Sequence, residues 1–254
     1  GGIENEKASR IIPDQSGGYT LVGFSTSNDG DLTSNAGAND IWILKLDSSG
    51  NILWEKSYGF SGNDYGFSIV QTSDGGYFVG GVVDVTASSG AGNDRSRNRK
   101  HAGGDYWGLK LDSNGDKIWR RYFGGTFTDS AYDIIETQDN GFLLVGSSDS
   151  EDVDISANKG SYDYWVVKIN PNGNKIWEKS YGGSQIDEAR SIINSSDGNF
   201  LILGDSRSND KDISNSKGAG DTWLIKISPE GNLIWEKSYG GSSFDAGRQI
   251  IPSL

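Results

Sequence analysis

The chain has 254 residues, contains neither Cys nor Met, and carries a formal net charge of −12. An acidic surface repels nucleic-acid phosphates and anionic lipid, which excludes nucleic acid as a partner. The lack of Cys excludes disulfides and zinc–thiolate sites. No apolar run approaches the roughly 18 residues that span a bilayer, which argues against membrane insertion.

Two Trp phrases recur four times along the chain. The phrase Asp-x-Trp-x-x-Lys begins at Asp40, Asp105, Asp163 and Asp221, and a second Trp follows the first after twelve residues in every copy. A period of 58 to 65 residues indicates stacked supersecondary units. The copies occupy 1–58, 59–123, 124–181 and 182–239, with a partial copy at 240–254. Because the chain begins with Gly1-Gly2 instead of Met, we expect a processed or excised piece of a longer protein.

Each repeat predicts four short strands. In the fourth copy, β-branched, aliphatic and aromatic runs occupy 189–193, 199–204, 222–227 and 233–239, separated by turn residues. Four antiparallel strands per repeat form the blade of a β-propeller. We therefore predict an all-β chain that is a single β-propeller domain, or a fragment of a larger propeller. The partial copy adds a seventeenth strand, which could pair with another chain by strand addition.

The third strand of each repeat predicts burial on both faces. Trp42 and Leu44 lie on one face and Ile43 on the other, and all are apolar. We expect the Trp at this position to belong to the core. The Lys three residues later breaks the apolar pattern, so we expect it where the strand leaves the packed region.

Acidic residues recur in the loops on one side of the predicted blades. The loop before each repeat's first strand carries an acid at its sixth position: Glu6, Asp64, Asp129, Asp187 and Asp245. Three copies also have Asp-x-Asp followed by the Asp before Trp, namely Asp29, Asp31 and Asp40, Asp152, Asp154 and Asp163, and Asp210, Asp212 and Asp221. These acids either cap their own loops by accepting backbone N–H bonds or bind Ca²⁺, which prefers oxygen ligands.

The second repeat replaces Asp-x-Asp with a basic, Gly-rich insertion at 92–104. Its cationic and imidazole side chains are Arg95, Arg97, Arg99, Lys100 and His101. A long polar loop is often only a solvated insertion. The alternative is a binding site for an anion, a glycan or a protein partner.

The phrases Asp-x-Trp-x-x-Lys-Leu-Asp-x-x-Gly-Asn-x-x-Trp-Glu-Lys-Ser-Tyr-Gly-Gly and Ser-Asp-Gly-Gly-Tyr resemble the repeats of large secreted or cell-surface bacterial β-propeller proteins. The resemblance covers essentially the whole chain. It implies an extracellular location and does not specify a ligand. The Trp on the last strand also resembles, more distantly, that of quinoprotein propellers.

Three classes of function remain. A serine-hydrolase triad would need His101, which we expect a Gly- and Arg-rich insertion to hold too loosely. A glycoside hydrolase needs one pair of carboxylates, whereas the acids here recur in each repeat. A lectin could stack sugars on Tyr106 and Tyr164. We expect a non-catalytic extracellular module for adhesion, protein–protein interaction or surface assembly, with glycan binding as the alternative and glycoside hydrolysis as a weaker one. Self-association would use the unpaired C-terminal strand.

Calcium binding at the nine acids of the Asp-x-Asp loops predicts a stabilised fold, since a ligand that binds only the folded state raises the melting temperature. Melting curves recorded with Ca²⁺ and then with excess chelator are the measurement. Identical melting curves would show that the fold is not stabilised by Ca²⁺.

Overall fold

The computed structural model describes residues 1–95 and 100–252, and its regular structure consists of β-strands. The strands are β1 (Glu6–Pro13), β2 (Tyr19–Ser25), β3 (Asp40–Leu46), β4 (Ile52–Tyr58), β5 (Tyr65–Gln71), β6 (Tyr77–Asp84), β7 (Gly104–Leu111), β8 (Lys117–Phe123), β9 (Asp129–Glu136), β10 (Phe142–Ser148), β11 (Asp163–Ile169), β12 (Lys175–Tyr181), β13 (Asp187–Asn194), β14 (Phe200–Ser206), β15 (Asp221–Ile227) and β16 (Leu233–Tyr239). Within this described part of the chain, no helix is long and apolar enough to span a bilayer.

The strands form four antiparallel sheets, each a meander of four consecutive strands. We call β1–β4 the first sheet, β5–β8 the second, β9–β12 the third and β13–β16 the fourth. The predicted all-β fold class, with one four-stranded antiparallel sheet per repeat, is confirmed, and the sheets have the strand order of propeller blades.

The chain divides into two compact units, Gly1–Phe123 and Gly124–Leu254. Their boundary coincides with a predicted repeat boundary. The first unit contains the first and second sheets, and the second unit contains the third and fourth. That all repeats form a single domain stays a prediction.

The turn that joins the third and fourth strands is built in the same way in every sheet. Its glycines, which all have positive φ between 71° and 85°, are Gly50, Gly115, Gly173 and Gly231. In the first sheet, Asp47 Oδ1 accepts the backbone N–H bonds of Ser49 and Asn51 at 2.8 and 2.9 Å. The glycine and the carboxylate together fix the hairpin that the sequence predicts.

Tryptophans of the third strands lie in the core as predicted. Trp107, Trp165 and Trp223 are fully buried, whereas Trp42 is half-buried. In the second unit, the Tyr164 ring packs against Trp223 with a centroid distance of 4.6 Å, and its hydroxyl donates to the Trp223 carbonyl oxygen. This contact joins the third sheet to the fourth.

The lysine after each Trp lies one residue before the end of the third strand, as expected, but two of the four are buried there. Lys110 and Lys168 are only 6% exposed, although each is the next-to-last residue of its strand. The Lys168 ammonium lies 2.7 Å from Asp139 Oδ1, in the turn between the first two strands. Burial opposes ionisation of this carboxyl, but bonds from Lys168 and Thr137 lower the Asp139 pKa to about 2. A charged side chain is therefore tolerated there because the turn supplies its counterion.

The same lysine–aspartate pair recurs in every sheet. The four pairs are Lys45 with Asp14, Lys110 with Asp74, Lys168 with Asp139, and Lys226 with Asp197.

The predicted seventeenth strand does not form within the described residues. The segment 240–252 pairs with no strand of a sheet, apart from an isolated bridge between Gly220 and Phe244. Instead it lies against the fourth sheet: Asp245 N donates to Gly220 O at 2.9 Å and Gly247 N to Gly204 O at 3.3 Å. A lone segment has no neighbouring strand to complete its backbone hydrogen bonds, so it remains irregular.

Adjacent sheets of each unit meet at an indole ring that covers a glycine turn. A Cβ added to Gly115 would lie 3.0 Å from the Trp54 ring, and one added to Gly231 would lie 3.0 Å from the Trp177 ring. Trp177 Nε1 also donates to the Pro229 carbonyl oxygen at 3.1 Å. We call this contact of a fourth-strand Trp with the following sheet's glycine turn the indole–glycine contact.

Replacing Trp177 by Ala removes the indole–glycine contact of the second unit. Complete burial of a Trp is worth about 3–5 kcal/mol, so this half-buried ring is expected to contribute about 2 kcal/mol. The melting temperature should fall by about 5 °C. Ile176→Ala is the matched control, because Ile176 is the neighbouring residue and is exposed. Equal losses in the two variants would contradict the assignment.

Candidate functional site

The first acid of each Asp-x-Asp pair holds the loop that precedes the sheet's first strand. Asp29 Oδ1 accepts the Ile3 N–H at 3.0 Å, and Asp152 Oδ1 accepts the Thr126 N–H at 3.0 Å. Asp210 does the same for Ser184, at 2.8 Å. The equal spacing in the three copies thus reflects one repeated loop clamp.

The second acid of each pair accepts from the first residue of that same loop. Asp154 Oδ2 accepts the Gly124 N–H at 3.4 Å, and Asp212 Oδ2 accepts the Gly182 N–H at 3.1 Å. Asp31 bonds the amino group of Gly1. Lysines add a second contact in the second unit, with Lys175 Nζ 2.6 Å from Asp154 Oδ1.

The third acid, just before the Trp, is buried. In Asp40 and Asp221, Oδ2 accepts the N–H of the residue four positions earlier, from Ala36 and Lys217, at 2.6 Å in both cases. Asp163 makes the same bond to Lys159. The other oxygen, Oδ1, is buried without a hydrogen bond in Asp40, Asp163 and Asp221.

That unpaired oxygen faces the acid of the next loop. A Cβ on Gly182 would lie 2.0 Å from Asp163 Oδ1 and 2.6 Å from Asp187 Oδ2, so the two carboxylates meet at this glycine. Burial, reinforced by the charge of Asp187, raises the pKa of Asp163 to about 7. The corresponding pair in the first unit is Asp40 and Asp64, where burial raises the pKa of Asp64 to about 6.

The structure does not gather these acids into a metal cluster. Within residues 1–95 and 100–252, no three His, Asp or Glu side chains are placed to hold an ion. The carboxylates of the Asp-x-Asp loops accept hydrogen bonds from backbone N–H groups. This is the loop-capping role, the first of the two roles that the sequence suggested for these acids. Calcium binding stays a prediction.

His101 has specific side-chain contacts, whereas we expected the insertion to hold it loosely. Its Nδ1 lies 2.5 Å from Asp105 Oδ2, its ring packs edge-on against Tyr122, and its side chain is buried. His101 precedes Asp105 by four residues, the spacing at which the other sheets supply a backbone N–H. In the second sheet, which lacks Asp-x-Asp, the imidazole therefore takes the place of that backbone N–H as the partner of the buried Asp.

Of the five predicted binding residues, Arg95 and Lys100 are exposed and His101 is buried. Arg97 and Arg99 lie outside the described residues. The base of the insertion is fixed to the second sheet, since Val85 N donates to Gly103 O and Trp107 Nε1 donates to Gly92 O, both at 2.9 Å.

Sequence reasoning missed the basic residues of β8 that lie beside the insertion. Asp94 pairs with Lys117 and Arg120 at 3.1 and 3.0 Å. Arg120 occupies the position at which other repeats have Glu, and Glu178 and Glu236 there accept the indole N–H of their Trp. The Arg at this position was the signal in the sequence that could have pointed to these residues. It removes the carboxylate that accepts the indole N–H in other repeats, and in the second sheet the Gly92 carbonyl oxygen accepts the Trp107 N–H instead.

We define the basic surface of the second sheet as Arg95, Lys100, Lys117 and Arg120. It lies on a chain whose net charge is −12. Within it, Lys117 and Arg120 form ion pairs with Asp94.

No family model matches the chain. It is 26% identical over 197 residues to the regulatory protein FlaEY of Caulobacter vibrioides, a match that covers 73% of the chain and 20% of that protein. The chain thus spans about a fifth of the curated relative it matches. Similar solved structures include Sqt1 from Chaetomium thermophilum (12% identity, TM-score 0.42, 89% of this chain and 44% of that one). The Pan2 WD40 domain of Neurospora crassa is also similar (12% identity, TM-score 0.44, 90% and 66%).

The buried acid pair predicts a pH effect on stability. The Asp163 pKa rises from 3.8 in the unfolded chain to about 7 in the folded one, so the folded state binds the proton more tightly. Its contribution to stability is therefore lost as pH rises from about 4 to about 7. Asp163→Asn has no carboxyl to ionise at this position, so the variant avoids this loss. The melting temperature of the variant minus that of the unmodified chain should therefore be about 5 °C larger at pH 8 than at pH 5.

Asp210→Asn is the matched control, because the pKa of this exposed carboxyl is lowered by bonds from Ser184 and it stays ionised over that range. A difference in melting temperature between Asp163→Asn and the unmodified chain that does not change with pH would contradict the acid pairing.

Proposed function

We propose that the chain is a non-catalytic extracellular module for protein–protein interaction, used in adhesion or surface assembly. The observation that carries the proposal is the contrast between repeated and unrepeated polar groups. Repeated acids and lysines hold loops and turns, whereas the unrepeated basic surface presents Arg95 and Lys100 to solvent. A cationic surface on an acidic chain favours a partner with negative charge.

A non-catalytic role is supported by where the candidate catalytic groups lie. A glycoside hydrolase needs an acid and a second carboxylate on either side of the scissile bond. Asp163 and Asp187 are buried against Gly182 and clamp backbone N–H groups. His101 is buried and bonded to Asp105.

Glycan binding remains the second candidate function, but its site would differ from the one expected from the sequence. Tyr106 and Tyr164 are fully buried, so neither ring is available to stack a sugar. A glycan would instead contact Arg95 and Lys100, which favours sugars that carry carboxylate or sulfate groups. The extracellular location is supported by the resemblance of the repeat phrases to secreted and cell-surface bacterial propellers.

Assembly through self-association is part of the proposal. The segment 240–252 forms no strand in the described structure, although Asp245 N and Gly247 N bond the carbonyl oxygens of Gly220 and Gly204, and strand addition would use its backbone groups.

The basic surface is tested by charge reversal. We expect the chain to bind immobilised poly-L-glutamate, an acidic protein mimic, with an affinity that falls as salt is raised. The Arg95→Glu/Lys100→Glu double variant should bind at least about tenfold more weakly, as measured by biolayer interferometry. Lys217→Glu is the control, because Lys217 is exposed in the corresponding loop of the fourth sheet.

Equal losses in the control and the double variant would contradict a dedicated surface. Binding only to acidic sugars on a glycan array, and not to poly-L-glutamate, would replace protein interaction with the glycan alternative.

A further inference from the structure

One row of residues across the second sheet differs from the same row in the other three sheets. The row takes one residue from each of the last three strands, at positions that pair across the sheet. The other sheets place two aliphatic residues and a lysine there: Val22, Ile43 and Lys56, Val145, Val166 and Lys179, and Leu203, Leu224 and Lys237. The second sheet places Gly80, Gly108 and Arg121 there. Arg121 therefore lies beside two glycines where the other sheets carry aliphatic side chains.

Arg121 is buried without a carboxylate partner. It is 8% exposed, and within the part of the chain that the structure describes no Asp or Glu forms an ion pair with it. Asp94 is the acid whose charge acts on Arg121, but its carboxylate pairs with Lys117 and Arg120. Nη1 of Arg121 donates to the Arg120 carbonyl oxygen at 2.7 Å, whereas Nε is buried without a hydrogen bond. A buried charge is costly unless it is both paired and hydrogen-bonded.

Cations at comparable positions of the same unit have an acid beside them. Lys110, which is also buried, lies 2.8 Å from Asp74. Lys56, which occupies the position of Arg121 in the first sheet, lies 2.7 Å from Asp116. Arg121 thus departs from the way in which this fold neutralises its lysines.

The surroundings of Arg121 add positive charge and an aromatic ring. Burial is the largest cause that lowers the pKa of Arg121, and the charge of Arg95 lowers it further. The guanidinium lies 5.5 Å from the centroid of the Trp119 ring, whose face attracts a cation. The ring supplies no oxygen atom to accept the Nε proton, so the hydrogen-bonding capacity of this edge of the guanidinium is left for a ligand.

We propose that the second sheet binds a small divalent oxyanion, sulfate or hydrogen phosphate, at the Nε–Nη2 edge of Arg121. That edge presents two parallel N–H groups, which match two oxygens of one oxyanion. Two negative charges suit a site at which the charges of Arg121 and Arg95 act on each other. The oxyanion is either free in solution or a group carried by a sugar. Such a site needs no protein partner and so goes beyond the proposed interaction function.

Isothermal titration calorimetry with sodium sulfate, against sodium chloride of equal ionic strength, tests the site. We expect saturable binding of sulfate that chloride does not give. Arg121→Lys should weaken the sulfate affinity about tenfold, because lysine keeps the charge but lacks the two parallel N–H groups. Lysine is the residue that the other three sheets have at this position, so the variant suits the fold. Arg207→Lys is the matched control, since Arg207 is an exposed arginine that also lies over an aromatic ring.

Two further titrations extend the test. Arg95→Gln changes an exposed residue outside the strands, so it does not disturb the sheet, and should weaken the sulfate affinity about threefold. Glucose 6-sulfate then replaces sodium sulfate, with glucose as the uncharged control. Tighter binding of glucose 6-sulfate than of sulfate, reduced by Arg121→Lys, assigns the site to a sulfated sugar. Equal or weaker binding assigns it to the free anion.

Absence of saturable binding of both sulfate and glucose 6-sulfate to the unmodified chain would overturn the proposal. So would a sulfate affinity that Arg121→Lys and Arg95→Gln leave unchanged, or one that Arg121→Lys and Arg207→Lys reduce equally. Poly-L-glutamate is absent from these titrations, so failure of oxyanion binding and failure of the proposed protein interaction are separate results.

Discussion

Within each unit, the packing of one sheet on the next depends on an indole ring that lies on a glycine turn. The turn must be Gly for two reasons: its φ is positive, at 78° in Gly231, and a Cβ there would crowd the ring of Trp177. The hydroxyl of the nearby Tyr181 then bonds the carbonyl oxygen of the same glycine. One short turn thereby fixes both the hairpin of its own sheet and the position of the preceding sheet.

Polar groups in this fold are mostly used to hold loops. Carboxylates of the Asp-x-Asp loops satisfy N–H groups that a loop between sheets would otherwise leave unpaired. The arrangement carries an electrostatic cost where two acids meet, as at Asp163 and Asp187, because both are buried. Repetition of these acids in three copies therefore reflects a structural role for each copy, and the basic surface of the second sheet is the departure from it.

The sequence was sufficient to predict the strands, because each repeat alternates β-rich runs with Gly, Asn and Asp turns. The last strand of the fourth repeat was predicted at 233–239 and is observed as Leu233–Tyr239. Burial of the third-strand Trp also followed from its apolar neighbours on both faces.

Contacts between distant positions were harder to predict. The sequence suggests that Lys168 is exposed, because it does not show that Asp139, in a separate turn, lies beside it. From the sequence, His101 looks like a solvated loop residue. In other sheets the residue four positions before the buried Asp donates its backbone N–H, which almost any residue type can do, so the sequence does not reveal that this position contacts the Asp. The C-terminal segment has strand-like composition, but a strand also needs a neighbour to pair with.

A double-mutant cycle between Trp177 and Gly231 tests the central contact most directly. Asn at Gly231 keeps the positive φ accessible but places a side chain against the ring, so its cost should shrink when Trp177 is already Ala. The account predicts a coupling of at least about 0.5 kcal/mol in the free energy of unfolding. Losses that add within about 0.3 kcal/mol would show that the ring and the turn act independently, which would contradict it.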